Sequence, residues 1–316
     1  MRRGMFMLVL GVVACGGDAA DTTTDVDDVD VSDLAFTSCA RGTDVGGFTI
    51  ELADAFTGVQ GQVMTGVVPS NVLAVQQEVT GTDGDCVLVA APGLTCDPAC
   101  AVGETCGEAN TCIPYPTAIS VGDVAVRGMA IDFTMSPTAP IEYYTNPSTL
   151  PHPGFVSGAG IALDAAGGDG AAFTLRGWGV DALAPTQDVV TVEDGVPLVI
   201  GWDAPPDAGP AKVEITLNIN GHGLVGSHVV CEVTDDGEFT VPAALVTALF
   251  ADGLSGFPTM RMTRTTSDTA TTAGGCVDLR VLSTTLLEVQ IPGLVSCDDD
   301  TDCDLPQTCQ ADLTCA

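Results

Sequence analysis

Across 316 residues the chain carries 42 acidic against 9 basic side chains, a formal net charge of −33, and Lys212 is its single lysine. A field of that sign repels phosphate backbones and anionic headgroups, which excludes nucleic acid as a partner and leaves charge unable to hold the chain on a membrane. Aromatic residues make up 5% of the chain while Gly, Val, Thr and Asp abound, a composition that favours short strands and tight turns over packed helices.

The first predicted element is a signal segment over residues 1–14. Arg2 and Arg3 give it a positive start, Met5 to Leu10 a short apolar stretch, and Val12-Val13-Ala14-Cys15 a small-residue run closing on a cysteine. The apolar run stops at Gly16, Gly17 and Asp18, about half of the ~20 residues that a spanning helix needs. This order resembles the bacterial lipobox. The resemblance implies cleavage before Cys15 and acylation of that cysteine, so that the chain reaches a membrane through a lipid anchor. Gly16, rather than Asp, after the cysteine implies sorting to the outer membrane or cell surface. An ordinary secretory signal followed by a free cysteine is the other reading, and both readings export the chain. Removal of residues 1–14 leaves 7 basic against 42 acidic residues, a net charge of −35. Thirteen cysteines fit an oxidising compartment, and without Cys15 twelve remain for six bridges.

Residues 15–37, from the lipidated cysteine onward, are rich in Asp, Thr, Ala and Val without apolar periodicity and read as a disordered acidic tether. Residues 38–95 hold four strand-length runs, "GFTIELA", "VQGQVMTG", "NVLAVQQEV" and "CVLVAAP", and read as a small β domain closed by Cys39 and Cys86. Residues 96–115 form a four-cysteine module of Cys96, Cys100, Cys106 and Cys112. It returns at 296–316 as Cys297, Cys303, Cys309 and Cys315, for "ACAVGETCGEANTC" and "DCDLPQTCQADLTC" share the spacing C-x5-C-x5-C. Segments this short cannot bury a core, so cross-links must hold them. Four cysteines allow three pairings, and loop geometry favours first-to-third with second-to-fourth. Zinc competes for four thiolates, but neither module has a C-x2-C knuckle and export favours oxidation.

Residues 116–295 carry many short alternating runs and read as an antiparallel β-sandwich, interrupted by a helix over 243–253 with Leu245, Leu249 and Phe250 on one face. Within it "PLVIGWDAPPDAGPAKVEITLNI" resembles the early strands of immunoglobulin-like and fibronectin type III domains. That likeness implies an immunoglobulin-like part at about 195–292 with Trp202 in its core; Cys231 and Cys276, one per strand there, are expected to bridge. The fold class is thus mainly β: a small disulfide-closed domain, a larger antiparallel sandwich and two four-cysteine modules. Lipobox, acidic spacer, cysteine-rich modules and sandwich together resemble cell-surface lipoproteins of myxobacterial type. The resemblance implies a location and brings no activity with it.

Candidates for chemistry are few. His152 lies between two prolines, and His222 and His228 flank "GLVGS" without an evident third metal ligand. There is no G-x-S-x-G elbow, H-E-x-x-H pair or phosphate-cradling glycine loop. Asp298, Asp300 and Asp302 stand at alternate positions like the first ligands of a calcium loop, yet loop positions 6 and 12 are Cys303 and Cys309 instead of Gly and Glu. No cofactor is expected, with calcium as the alternative at those three carboxylates. Trp178, Trp202, Tyr143 and Tyr144 are the available aromatic platforms, and Arg261 and Arg264 the rare cations that could meet an acidic partner or an internal one. The expected function is non-enzymatic adhesion, recognition or scaffolding at the envelope, with a glycan or protein ligand. The alternatives are an envelope hydrolase or metal-dependent enzyme on the same sandwich, and a calcium-stabilised adhesin.

Overall fold

The computed structural model describes residues 29–68, 77–90, 96–107, 110–206, 209–221 and 226–316. The expected signal segment, Cys15, the expected tether up to residue 28, residues 71–76 and His222 lie outside them. In chain order the strands are β1 (Asp44–Leu52), β2 (Thr57–Met64), β3 (Glu78–Asp83), β4 (Cys86–Ala90), β5 (Glu104–Gly107), β6 (Thr111–Pro114), β7 (Ala118–Ile119), β8 (Val124–Arg127), β9 (Phe133–Met135), β10 (Tyr144–Thr145), β11 (Gly160–Ala165), β12 (Phe173–Trp178), β13 (Val189–Thr191), β14 (Leu198–Gly201), β15 (Lys212–Asn218), β16 (His228–Thr234), β17 (Glu238–Val241), β18 (Thr259–Thr272) and β19 (Gly275–Gln290); helix α1 (Ala243–Ala251) lies between β17 and β18.

The hairpin of β18 and β19, 14 and 16 residues long, is the spine, turned by the two-residue loop Ala273-Gly274. Around it runs an eleven-stranded sheet in the order β10-β2-β1-β19-β18-β15-β16-β4-β3, with β13 beside β19 and β7 beside β2. Side chains alternate along a strand, so Val277, Leu279, Val281, Leu287 and Val289 of β19 all face the same way. They feed two cores. The first three pack with Phe48 and Ile50 of β1 and with Val126, Ile161, Leu163 and Leu175 of a second sheet, ordered β12-β11-β8-β9. The last two pack with Met260, Met262 and Ile215, and with Ile200, Trp202, Leu245 and Leu249 from the β14–β17 pair and α1. One sheet is therefore covered on one face by two different layers, and each apolar side chain fully buried there contributes about 1.5–3 kcal/mol. Gly177 lets β12 lie close against β19, because a Cβ there would come within 2.6 Å of Val281 Cγ2.

Between the two cores the inward face of β18 turns polar. Thr266 Oγ1 donates to the Trp178 carbonyl (2.8 Å) and Asp268 Oδ2 accepts from the Arg176 N–H (2.7 Å), so side chains satisfy the outer edge of β12. Arg264, opposite Ser283 in register and 1% exposed, uses all five of its N–H donors. Nε and Nη2 donate to the Asp235 carboxylate at 2.6 and 2.9 Å, Nη2 also to the Asp203 carbonyl, and Nη1 to the carbonyls of Asp181 and Ala182. Asp235 accepts a further bond from Trp202 Nε1 at 2.7 Å.

The structure corrects several expectations. Residues 38–95 are no separate domain: β1 lies parallel to β19, and β4 pairs with β16. Cys39 bridges Cys276 and Cys86 bridges Cys231, where a closed pair Cys39–Cys86 and a pair Cys231–Cys276 were expected. The reason is burial, since Phe48, Ile50 and Leu52 alternate on one face of β1 and find a core only beside β19. The large sheet is mixed, because β1 and β13 both run parallel to β19. Residues 29–37, expected as the end of the tether, pack on the second sheet. Val31 is buried, the Asp33 carboxylate takes Arg176 Nη1 and Nη2 at 2.8 and 3.3 Å, and the Asp30 carbonyl takes Nη1 at 2.8 Å. In "DVDVSD" Val31 supplies the residue to bury and Asp33 the carboxylate that meets a scarce cation, while the Asp30 carboxylate accepts from the Ser32 N–H. Helix α1 matches the expected segment with its end drawn in to Ala251, and it buries Leu245, Val246 and Leu249.

Both four-cysteine modules link first to third and second to fourth: Cys96–Cys106 with Cys100–Cys112, and Cys297–Cys309 with Cys303–Cys315.

Candidate binding groove

A cleft of about 570 Å3 opens beside the β1–β2 hairpin. The hairpin turns through 53–56, where the Ala53 N–H donates to the Phe56 carbonyl at 3.0 Å. On its outward face Glu51 stands opposite Gly58, and β10 sets Thr145 opposite Gln60. The chain then runs along the open side of β2. Asn146 fastens it there, its carboxamide oxygen accepting from the Val59 N–H (2.9 Å) and its own N–H reaching the Val59 carbonyl (3.0 Å).

His152 closes one end. Its Nδ1 lies 3.3 Å from Thr57 Oγ1 and its Nε2 3.1 Å from the Asp54 carbonyl, while Thr57 Oγ1 accepts from the Gly154 N–H at 2.8 Å. A carbonyl accepts only, so the proton sits on Nε2 and Nδ1 receives the threonine hydroxyl. His152 also borders a second cleft of about 410 Å3, whose wall includes Ser157 and Asp181. Ser157 Oγ donates to Asp181 Oδ2 at 2.8 Å, and both imidazole nitrogens are occupied elsewhere. The serine and histidine therefore do not form a nucleophile–base pair.

Phe56 stands at the rim of the larger cleft, 55% exposed. Its ring rests on Gly58, where a Cβ would meet Cε2 at 3.3 Å. Gln60 turns Oε1 to the Tyr143 hydroxyl (2.6 Å), which leaves its NH2 group for other partners. The side chains of Glu51, Thr145 and Thr149, all lining the cleft, make no hydrogen bond to the described residues. The result is an exposed aromatic ring beside one acceptor, one donor pair and two hydroxyls.

The residues singled out by sequence mostly serve other purposes. Trp202 is core, as expected. Tyr144 is buried, its hydroxyl accepting from the Val121 N–H and donating to the Gly122 carbonyl, while the adjacent Tyr143 turns the other way and braces Gln60. Trp178 lies against the bare faces of Gly158 and Gly209. Arg264 is enclosed with Asp235, and Arg261 sits 4.0 Å from Glu214. His228 Nδ1 contacts the Gly226 carbonyl at 3.0 Å.

Cysteine triads that approach closely enough to hold a metal, Cys96 with Cys100 and Cys112 and Cys297 with Cys303 and Cys315, are the sulfurs of disulfides and offer no thiolate. Nor do Asp298, Asp300 and Asp302 converge. Asp300 Oδ1 accepts from the Cys309 N–H (2.9 Å) and Asp302 Oδ2 from the Asp298 and Asp299 N–H groups (2.9 and 3.3 Å). Asp299 caps the 3-10 turn 300–302 through Thr301, whose bonds hold its carboxyl below the usual range. The acidic run thus folds the module by supplying acceptors where a core is lacking.

One carboxyl outside the cleft gives a pH-dependent prediction. Burial first, and Asp44 second, push Asp278 up to about 6 against the opposing charge of Arg280. An unfolded aspartate titrates near 3.9. The folded chain consequently holds a proton between pH 4 and 6 that the unfolded chain releases, and stability falls as pH rises through that window. Asp278→Asn removes the penalty, so the variant should match wild type near pH 4 and exceed it by up to about 3 kcal/mol above pH 6. Urea denaturation at the two pH values checks the difference; a constant offset would show that the charge is not responsible.

No protein-family model matches the chain, and no curated protein matches it.

Proposed function

We propose that this chain is an exported envelope lipoprotein, anchored through acylated Cys15 at the outer membrane or cell surface, that recognises an extracellular or envelope ligand without chemical turnover. The observation that carries the recognition reading is the cleft at β1–β2, where Glu51, Thr145, Thr149 and the Gln60 NH2 group make no side-chain hydrogen bond to the described residues and stand beside an exposed ring. Six disulfides suit an oxidising exterior. Among the described residues no helix is long and apolar enough to cross a membrane. Within this proposal the hold on the membrane falls to the acyl chains, and two or more hold firmly at ~0.8 kcal/mol per buried CH2.

Cys15→Ser is expected to abolish lipidation and move the protein from the detergent-rich to the aqueous phase on Triton X-114 partitioning, with its melting temperature unchanged. A Cys15→Ser protein that still partitions as a mature membrane species would overturn the anchor. Protease treatment of intact cells separates outward display, in which the chain is digested, from a periplasmic position.

A further inference from the structure

We infer that the cleft beside the β1–β2 hairpin binds an uncharged carbohydrate, an inference that rests on the cleft being the recognition site. A sugar presents one face of C–H bonds and a rim of hydroxyls, each both donor and acceptor. The cleft is made to that pattern. The Phe56 ring lies over Gly58 and offers an apolar face at the rim. Around it stand an acceptor in Glu51, a donor pair in the Gln60 amide and two hydroxyls, Thr145 and Thr149, that serve as either.

Charge narrows the class. Among the described residues no Lys or Arg lines the cleft, Glu51 lies inside it, and the chain carries a net −33, so sulfated or uronic-acid sugars are repelled. A hexose, with several hydroxyls that each donate and accept, offers partners to all four groups at once, and the lysine-rich peptide in the test below reports whether Glu51 alone governs binding. A volume of about 570 Å3 falls in the range of small-ligand pockets, ~300–1,000 Å3, and suits one or two sugar rings with the remainder of an oligosaccharide leaving through the open side.

The test uses the purified full chain with neutral di- and trisaccharides of glucose, galactose, mannose and N-acetylglucosamine. Sulfated and uronic-acid oligosaccharides and a lysine-rich peptide are assayed alongside, all by titration calorimetry. At least one neutral sugar should bind, and Phe56→Ala and Gln60→Ala should each weaken it about tenfold or more, a change of ~1.4 kcal/mol. Both side chains reach solvent, so melting temperatures should stay at the wild-type value and separate lost binding from lost folding. Binding confined to the acidic sugars or the peptide would overturn the carbohydrate class. So would an envelope protein whose capture depends on Phe56 when no sugar binds, although the cleft would then remain the recognition site. A ligand of any class that binds Phe56→Ala/Gln60→Ala as tightly as wild type would overturn the cleft as well.

Discussion

Asp235→Ala is expected to lower the unfolding free energy by about 3–5 kcal/mol, a large part of what a protein of this size has to lose. The substitution leaves Arg264 charged, 1% exposed and short of two of its five acceptor contacts, and it strips Trp202 Nε1 of its only hydrogen-bonding partner among the described residues. The guanidinium is buried in the fold, so the cost is that of a buried charge without its counterion rather than of one lost contact. The arrangement also ties four separate stretches together: the 181–182 segment, Asp203 after β14, the β16–β17 turn and the centre of β18. A double variant, Asp235→Leu with Arg264→Met, removes both charges and should recover part of the stability lost in Asp235→Ala. Guanidinium denaturation of the three proteins decides the matter. A loss below about 1 kcal/mol in the single variant would mean that the pair is no more than a surface-like contact.

The same residues show what the sequence could and could not disclose. Alternation in "AKVEITLNI" and "SHVVCEV" places β15 and β16 correctly, because Val213, Ile215 and Leu217 and then Val229, Cys231 and Val233 go to one face. Strand β19 is a single 16-residue strand although Ser283, Thr284 and Thr285 interrupt its apolar pattern. In the fold Ser283 points inward and accepts from the Leu183 N–H, and Thr284 lies 3.1 Å from Thr263 across the hairpin. Their partners come from elsewhere in the chain, so no local pattern announces them. The four-cysteine modules were legible because their contacts are local, whereas Cys39 and Cys86 reach across 237 and 145 residues. The cleft was hidden for the same reason: Glu51 to Gln60 meet Thr145 to His152 only after β10 docks on β2. The one local hint was Phe56, an aromatic side chain at the tip of a Gly-containing hairpin where nothing in the strand pattern asks for a large apolar residue.

Loop length sets the last expectation. Breaking Cys39–Cys276 as a double serine variant should cost about 4–5 kcal/mol, against ~3 kcal/mol or less for Cys303–Cys315 treated the same way. The outer bridge spans 237 residues, and the nested 145-residue span of Cys86–Cys231 shortens the free loop in the unfolded chain to about 90. The module bridge closes only 12. Position separates the two as well. Cys276 faces Asp44 in the parallel β1–β19 register, so the outer bridge pins the start of the strand pair that supplies Phe48, Ile50 and Val281 to one core. Cys303–Cys315 holds a small lobe whose remaining support is the Cys297–Cys309 bridge, the carboxylate contacts of Asp300 and Asp302, and a few backbone bonds. Cys39→Ser/Cys276→Ser is therefore expected to lower the global melting transition and to weaken hydrogen-exchange protection throughout β1, β2 and β19. Cys303→Ser/Cys315→Ser should release protection in residues 297–315 and leave those strands unchanged. Neither change touches Cys15, so under the proposed lipid anchor membrane attachment is expected to persist in both. Equal loss of protection across the large sheet in the two variants would show that the modules are integral to the sandwich instead of folding as local units.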